Sequence, residues 1–266
     1  MRIIVCVKQV PDPEAPAGSF TPDAEGRRVV VRRGVSQVLS TYDENAIEAA
    51  LRVKDAHGGT VTLLAVGTPQ WQDFLQEAMG SGADEAFLLS DPAFQGADSF
   101  AVAYILSRAI EKLGEYDLVL CGRQAADTDA GIVGPALAEF LGLPCVTIAR
   151  SIEVNHSAAR VERLLEEGYE VLEASLPAVM TVTSEALKLR YATMDTIMAA
   201  TEREVPIWSA EEIGAGPPEA IQAGSRVRLV RLETPPAGGD CQIVEGQDEA
   251  EKAAKLAQLL RSQKVL

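Results

Sequence analysis

An α/β fold with a doubly wound, mostly parallel sheet is what this sequence predicts, and three observations predict it. Residues 3–7, 61–66 and 118–121 are short apolar runs without alternation, the signature of strands buried on both faces. Between such runs lie stretches whose apolar residues recur at helical spacing. Strand and helix alternate without a break from Arg2 to about Thr147, as in a parallel sheet wrapped by helices. The layout is Rossmann-like, with an antiparallel hairpin addition and a C-terminal arm after it. A boundary near residue 205 divides the chain into 1–205 and an extension, 206–266.

The first strand, residues 3–7, runs into Lys8-Gln9-Val10-Pro11-Asp12. Between residues 20 and 31 the pattern changes. Glu25-Gly26 lies between two short runs and reads as a hairpin excursion, with an irregular loop as the opposing reading. Thr41 and Glu44 have capping-box spacing. The helix behind them carries Ala46, Ile47, Ala50 and Leu51 on one face and ends near Gly58-Gly59. Residues 61–66 are the next buried strand, closed by Gly67. A helix with Trp71, Phe74 and Leu75 runs to about Gly80, and residues 86–89 form another short strand. Asp98-Ser99 caps a strongly periodic helix carrying Val102, Ile105, Leu106, Ala109 and Leu113.

Residues 118–147 organise the rest. Leu118-Val119-Leu120-Cys121 is a strand that breaks at Gly122, and a loop with two acids, Asp127 and Asp129, follows. A helix starts at Gly134-Pro135, where a missing N–H is tolerated; Gly142 and Pro144 stop it, and a strand begins at Cys145. In open parallel sheets ligands sit at the carboxyl ends of strands, and free N–H groups at a helix start favour an anion. A nucleotide phosphate is one reading. The other is that the small residues permit a tight turn and the acids solvate it. Right-handed crossovers bring residues 8–10, residues 40–43, Gly67-Thr68 and residues 122–134 to one sheet edge, where they form one crevice.

Beyond Arg150, residues 151–154, 160–165, 169–173 and 179–183 read as short strands, expected antiparallel because their connections are brief. Residues 184–200 follow neither period. Their apolar residues Leu187, Tyr191, Met194 and Ile197 mark a contact surface or a loop tucked back on the core. Residues 213–236 are rich in Gly and Pro, with one alternating strand at 226–232. Pro235-Pro236 and Gly238-Gly239 precede a last amphipathic helix with Ala253, Leu256, Ala257 and Leu260 on one face. Such a tail suggests an arm over a partner subunit, against a helix docked on its own sheet.

Composition narrows the function classes. A net charge of −15 argues against nucleic-acid binding, which needs clustered Lys and Arg, and against a polybasic membrane anchor. No apolar run approaches the roughly 18 residues that span a bilayer, and the start reads as a strand rather than a signal peptide. A cytoplasmic or equivalent reducing location is expected. Cys6, Cys121, Cys145 and Cys241 show no metal-ligand or C-x-x-C spacing. The 2 histidines, His57 and His156, fall at a helix end and a turn, which disfavours nucleophilic hydrolysis with a histidine base.

The chain resembles the beta subunit of the electron-transfer flavoproteins nearly end to end. The resemblance is carried by residues 5–12 (VCVKQVPD), residues 121–127 (CGRQAAD), Gly134-Pro135, and residues 187–198 containing Arg190-Tyr191-Ala192-Thr193. It implies a heterodimer with an alpha subunit that passes electrons from acyl-CoA or other flavin dehydrogenases to an acceptor. It also implies an adenine nucleotide in the crevice of this chain. That nucleotide is structural AMP in simple members, and a second FAD reduced by NADH in electron-bifurcating members, which residues 8–12 and 121–124 resemble more. Carried over by position, Cys6, Val7 and Lys8 meet the adenine, Ser40, Tyr42 and Asp43 form a second contact, and Gly67 a third. Cys121, Gly122, Arg123, Gln124, Asp127, Thr128, Asp129, Ala130, Gly131, Ile132, Val133, Gly134 and Pro135 wrap ribose and phosphates. Leu187, Tyr191, Met194 and Ile197 belong to the loop that docks into a dehydrogenase, with Met194 where relatives often have leucine. The extension 206–266 packs on the alpha subunit.

Departures from the family fall at Ser40-Thr41, where many relatives have Asn-Pro, and at Ala130 and Ile132, where relatives often have Thr and Gln. Phosphate contacts then rest on backbone N–H groups, helped by Gly131 and Gly134. Asp127 or Asp129 is expected to meet ribose hydroxyls or backbone rather than phosphate, because an acid repels a diphosphate. Two other classes compete. A nucleotide hydrolase or adenylating enzyme needs a Gly-rich loop after the first strand, where this chain has Lys-Gln-Val-Pro, and no G-x-x-x-x-G-K-[ST] occurs. A small ATP-binding regulatory module has no use for the long arm.

Overall fold

The computed structural model describes the whole chain except residues 27, 156, 186, 218–220, 222–223, 235–240 and 266. At its centre is β1 (Arg2–Cys6), paired in parallel with β6 (Thr60–Val66) on one edge and β8 (Leu118–Gly122) on the other. Both faces of β1 are covered, which is why its sequence lacks polar alternation. Ile3, Val5 and Val7 join the core beneath α1 (Thr41–His57) and α2 (Trp71–Met79). Ile4 and Cys6 point the other way, toward α3 (Ser99–Leu113) and α4 (Val133–Leu141). Odd and even residues part between the faces as the two-residue period of a strand requires.

The main sheet has nine strands in the order β11-β10-β9-β12-β8-β1-β6-β7-β13. The strands not yet given are β7 (Glu85–Leu89), β9 (Cys145–Asn155), β10 (Ala158–Leu164), β11 (Tyr169–Ser175), β12 (Ala178–Val182) and β13 (Ile207–Trp208). From β1 the chain winds outward through β6 and β7, then α3 carries it back to β8 on the other side of β1. The switch of direction therefore falls between β1 and β8, and their carboxyl ends open there. The excursion read as a hairpin is one: β3 (Phe20–Pro22) pairs antiparallel with β4 (Val29–Val31). An unanticipated pair, β2 (Gln9–Pro11) with β5 (Gln37–Leu39), closes its base.

Two expectations are corrected. The strand expected at residues 179–183 is not antiparallel to its predecessor: β12 lies parallel between β8 and β9. Nor does the fold change at Arg150, because β9 runs through it, pairing parallel with β12 and then antiparallel with β10. β9 turns at Ile148, whose φ of 59° is rare for a β-branched residue. The turned hairpin packs Val154, Ala159, Val161 and Ala174 into the core shared with α1. This fold-back lets a short connection join two strands of the same direction, so connection length misleads.

The segment at residues 184–200 ends in a helix, α5 (Met194–Thr201), started by reciprocal hydrogen bonds between Thr193 and Thr196. The extension begins by completing the sheet: β13 pairs with β7, and Ala210, Ile213, Ala215 and Ile221 are buried on the α3–α4 face. The strand expected at 226–232 forms no ladder among the described residues. Pro235-Pro236, Gly238-Gly239 and His156 lie outside them. The last helix, α6 (Glu249–Ser262), is capped by Asp248 and buries none of its residues. No helix of the described residues is long and apolar enough to cross a membrane.

Candidate functional site

The ends of β1 and β8 are tied together by the first turn of α1. Asp43 accepts hydrogen bonds from the backbone N–H of Lys8 at 2.8 Å and of Gly122 at 3.1 Å, one on each carboxylate oxygen. It is buried, and burial pushes its pKa up to about 7 against the lowering effect of these two N–H groups and of Lys8. Gly122 is required by this closeness, since a Cβ there would stand 2.3 Å from Asp43 Oδ1. Ser40 precedes the helix, but its hydroxyl does not cap it. Its Oγ accepts from the Ala126 N–H at 3.3 Å instead, and because the N-cap falls at Ser40 and Thr41 is already helical, the expected Thr41–Glu44 box does not form.

The loop after β8 uses its acids internally. Lys8 Nζ pairs with Asp127 at 2.7 Å, and Gln124 donates to Asp129 at 2.7 Å and to the Tyr42 hydroxyl at 3.2 Å. Gly134, in the first turn of α4, lies so near Thr181 that a Cβ would be 2.3 Å from its methyl group. By contrast, Arg123 forms no ion pair among the described residues. Its Nε donates to the Gln124 side chain at 3.3 Å and its guanidinium lies 6.0 Å from the Tyr42 ring centre.

Above these residues a cavity of about 510 Å³ opens at the switch point. Of the expected site residues, Cys6, Val7, Lys8, Asp43, Cys121, Gly122, Arg123, Gln124, Thr128, Ala130, Gly131, Ile132, Val133 and Gly134 line it. Ser40, Tyr42, Asp127 and Asp129 are not among its lining residues, and the bonds just described hold the loop. Gly67 lies under the Trp71 ring and Val66 reaches the cavity in its place; Pro135 is also off the wall. The wall that sequence reasoning missed is the start of α3, Asp98, Ser99, Phe100 and Val102, with Arg226 and Val227 from the extension. The Asp98-Ser99 cap was legible, but its approach to the crevice depends on α3 packing against α4 through Phe100 and Phe140, whose rings are 5.0 Å apart.

Cys6 and Cys121 are register partners on β1 and β8. A hydrogen bond with Cys6 and burial push the Cys121 thiol well up, so it stays a protonated, inert lining group. Nothing in the wall resembles a nucleophile paired with a base. What the crevice offers is backbone N–H groups at a helix start, two guanidinium groups without an acid partner among the described residues, Arg123 and Arg226, and an apolar floor.

Fold and site define the class: a Rossmann-like α/β protein with an open crevice at its strand switch. Residues 27–213 match the family described as the electron transfer flavoprotein domain, and the chain belongs to that family. It is 39% identical over 267 residues, the full length of both chains, to the caffeyl-CoA reductase-Etf complex subunit CarD of Acetobacterium woodii. It is 37% identical to the electron transfer flavoprotein subunit beta of Clostridium acetobutylicum, over 92% of each chain. Against Protein FixA of Azorhizobium caulinodans the identity is 35%, over 99% of this chain and 95% of that one. The chain is thus an electron-transfer protein of the beta-subunit type.

Proposed function

We propose that this chain is the beta subunit of a heterodimeric electron transfer flavoprotein and holds FAD in the crevice between β1 and β8. The observation that carries the reading is the state of the crevice's charges. Asp127 and Asp129 are occupied by Lys8 and Gln124, and Arg123 has no acid partner among the described residues. An anion entering beside the start of α4 meets N–H groups and a guanidinium rather than carboxylates. Glycine at 122 and 134 lets α1 and β12 pack close beneath the loop, where a Cβ would strike Asp43 and Thr181, and so sets the position of the N–H groups around it. The residues present therefore fit an adenine dinucleotide.

Residues of the loop 123–134 would hold the phosphates, with Cys6 to Lys8 along the adenine side. Bound there, FAD supplies the two-electron chemistry that accepts a hydride from NADH or passes electrons on. The chain's own part is to hold the nucleotide, exclude water with the apolar floor, and place a positive charge at Arg123. Tyr191, Met194, Ile197 and Met198 are exposed and suit docking to an acyl-CoA or other flavin dehydrogenase. The α6 helix, with no buried residue, suits a contact with the alpha subunit. Cys145 and Cys241 are exposed free thiols, which suits a reducing, cytoplasmic setting.

The test is to co-produce the chain with its alpha subunit, release bound nucleotides with acid, and count them. Two FAD per heterodimer supports the proposal and a bifurcating role. One FAD with one AMP replaces it by structural AMP and simple transfer. A complex whose only nucleotide belongs to the alpha subunit removes the site assignment.

A further inference from the structure

The cavity has a wall from the far end of the chain. Residues 225–232 form a strap, of which Arg226 and Val227 line the cavity. The Asp98 carboxylate accepts the N–H groups of Arg226 at 2.6 Å and Val227 at 2.8 Å, while the Asp98 N–H donates to Ser225 Oγ at 3.3 Å. Burial works to raise the Asp98 pKa, but N–H groups from Ala101, Val227 and Arg226 outweigh it and hold the pKa below its ordinary value. At the other end, the Leu232 N–H donates to Gly26 O at 2.6 Å, at the tip of the β3–β4 hairpin. The strap is therefore fixed at both ends, over a site its own sequence gave no reason to include.

Arg226 lines the cavity from this strap. Its guanidinium lies 5.2 Å from the centre of the Phe100 ring, which orients it at the mouth. Among the described residues it has no carboxylate partner, because the one acid beside it, Asp98, is occupied by backbone N–H groups. In a chain of net charge −15, two guanidinium groups without acid partners, Arg123 and Arg226, thus face one cavity from different walls. The third cation, Lys8, is neutralised by Asp127. One phosphate at the start of α4 needs only the Arg123 side. A ligand with two linked phosphates carries charge for both guanidinium groups.

We infer that Arg226 is an anion-binding residue of the crevice, contacting the second phosphate of a diphosphate-bearing adenine nucleotide and coupling the strap to the bound ligand. This rests on the nucleotide reading of the crevice and sharpens it to a class, ADP-containing dinucleotides over AMP. Arginine suits the role because its planar fork takes phosphate oxygens two at a time.

The experiment uses the full chain in complex with its alpha subunit, stripped of nucleotide, with calorimetric titration by AMP, ADP and FAD. Arg226→Ala is expected to weaken ADP and FAD binding about tenfold or more and AMP binding less than about threefold, since a charge-assisted hydrogen bond is the difference. Arg226→Lys should fall between, keeping the charge without the fork. Unchanged melting temperatures in both variants show that the fold is intact. Equal loss for AMP and ADP, or no loss for either, overturns the inference while leaving the nucleotide site standing. If the unsubstituted complex takes up none of the three in this chain, the nucleotide reading fails and the inference falls with it.

Discussion

Two buried carboxylates on one helix do the same mechanical job with their pKa values moved in opposite directions. Asp43, in the first turn of α1, joins the ends of β1 and β8 through the Lys8 and Gly122 N–H groups. Glu48, further along α1, holds the segment leading to α5: it accepts from the Arg190 N–H at 3.1 Å and from Arg190 Nε at 2.9 Å. Between them Asn45 accepts from the Leu187 N–H at 2.8 Å. For Asp43, burial wins and the pKa rises to about 7. For Glu48, burial is again the largest single influence, yet hydrogen bonds from Arg190 and Arg52 together outweigh it and the pKa falls below its ordinary value. At Asp43 two backbone N–H groups and the Lys8 charge do not outweigh burial; at Glu48 the hydrogen bonds from two guanidinium groups do. A helix thereby anchors a fixed ligand crevice at one point and a surface segment at another.

The largest effect expected from breaking this comparison is at Asp43. Asp43→Ala leaves two N–H groups at the β1 and β8 ends without their acceptor, at about 1–3 kcal/mol for each group that water does not reach. A loss of about 2–4 kcal/mol in urea unfolding, with loss of bound nucleotide, is the expected result. A variant that unfolds at the wild-type midpoint would mean the clamp is dispensable.

How much of this was legible beforehand follows from where each signal resides. The main-sheet strands and the helices up to Thr147 were readable because both faces of the sheet are covered and each helix has one apolar stripe, so burial is written locally. The loop at residues 122–134 was readable because small residues and a helix start have steric causes in the neighbouring sequence. Asp43 was brought to the crevice edge by the crossover rule and given a contact there by family resemblance; that it clamps two strands depends on residues 8 and 122, far apart in the chain. Arg226 and Phe100 could not be found at all, because the strap reaches the crevice by crossing from the extension to Asp98. Leu187 was expected among the exposed docking residues, but it is half-buried against the core, drawn in by the Asn45 bond to its N–H. The direction of β12 was misread because it is set by the sharp turn of β9 at Ile148.

The second effect is at Glu48. Glu48→Gln removes the charge that Arg190 and Arg52 meet. Arg190 is partly exposed, so solvent screening lowers the cost to about 1–2 kcal/mol. The cost should appear with faster proteolysis of the segment after Thr183 and unchanged nucleotide content. Loss of nucleotide in Glu48→Gln would show that the two anchors are not independent.

The pH dependence sharpens the contrast further, because the two acids have opposite signs. Asp43 has a folded pKa of about 7 against an ordinary 3.8, so between these values the folded protein keeps a proton that the unfolded chain has lost. Its contribution is therefore present at low pH and declines as pH rises through that window. Glu48 is lowered from 4.5, so its contribution is present above that value and is lost as pH falls through the folded pKa. Urea midpoints of wild type, Asp43→Asn and Glu48→Gln, measured from about pH 3 to about pH 8, should diverge in opposite directions. If the wild-type-minus-Asp43→Asn difference does not change with pH, burial is not what sets the state of Asp43.

The smallest effect on stability belongs to the surface that Glu48 anchors. Tyr191 is 84% exposed and Met194 72% exposed, so neither side chain contributes much to the isolated fold. Tyr191→Ser and Met194→Ser should change stability by no more than about 0.5 kcal/mol. Their effect should appear only with a partner, because an apolar residue that is exposed in the free protein gains its burial on docking. Reduction of the complex by a dehydrogenase should then show a raised half-saturating concentration with unchanged flavin content and unchanged turnover once saturated. Methionine, unbranched and polarisable, adapts to more than one partner surface, so Met194→Leu should be tolerated with one dehydrogenase and weakened with another. If both serine variants transfer electrons as the wild type does, the exposed face is not where the partner sits, and Glu48 and Arg190 serve only to close the fold.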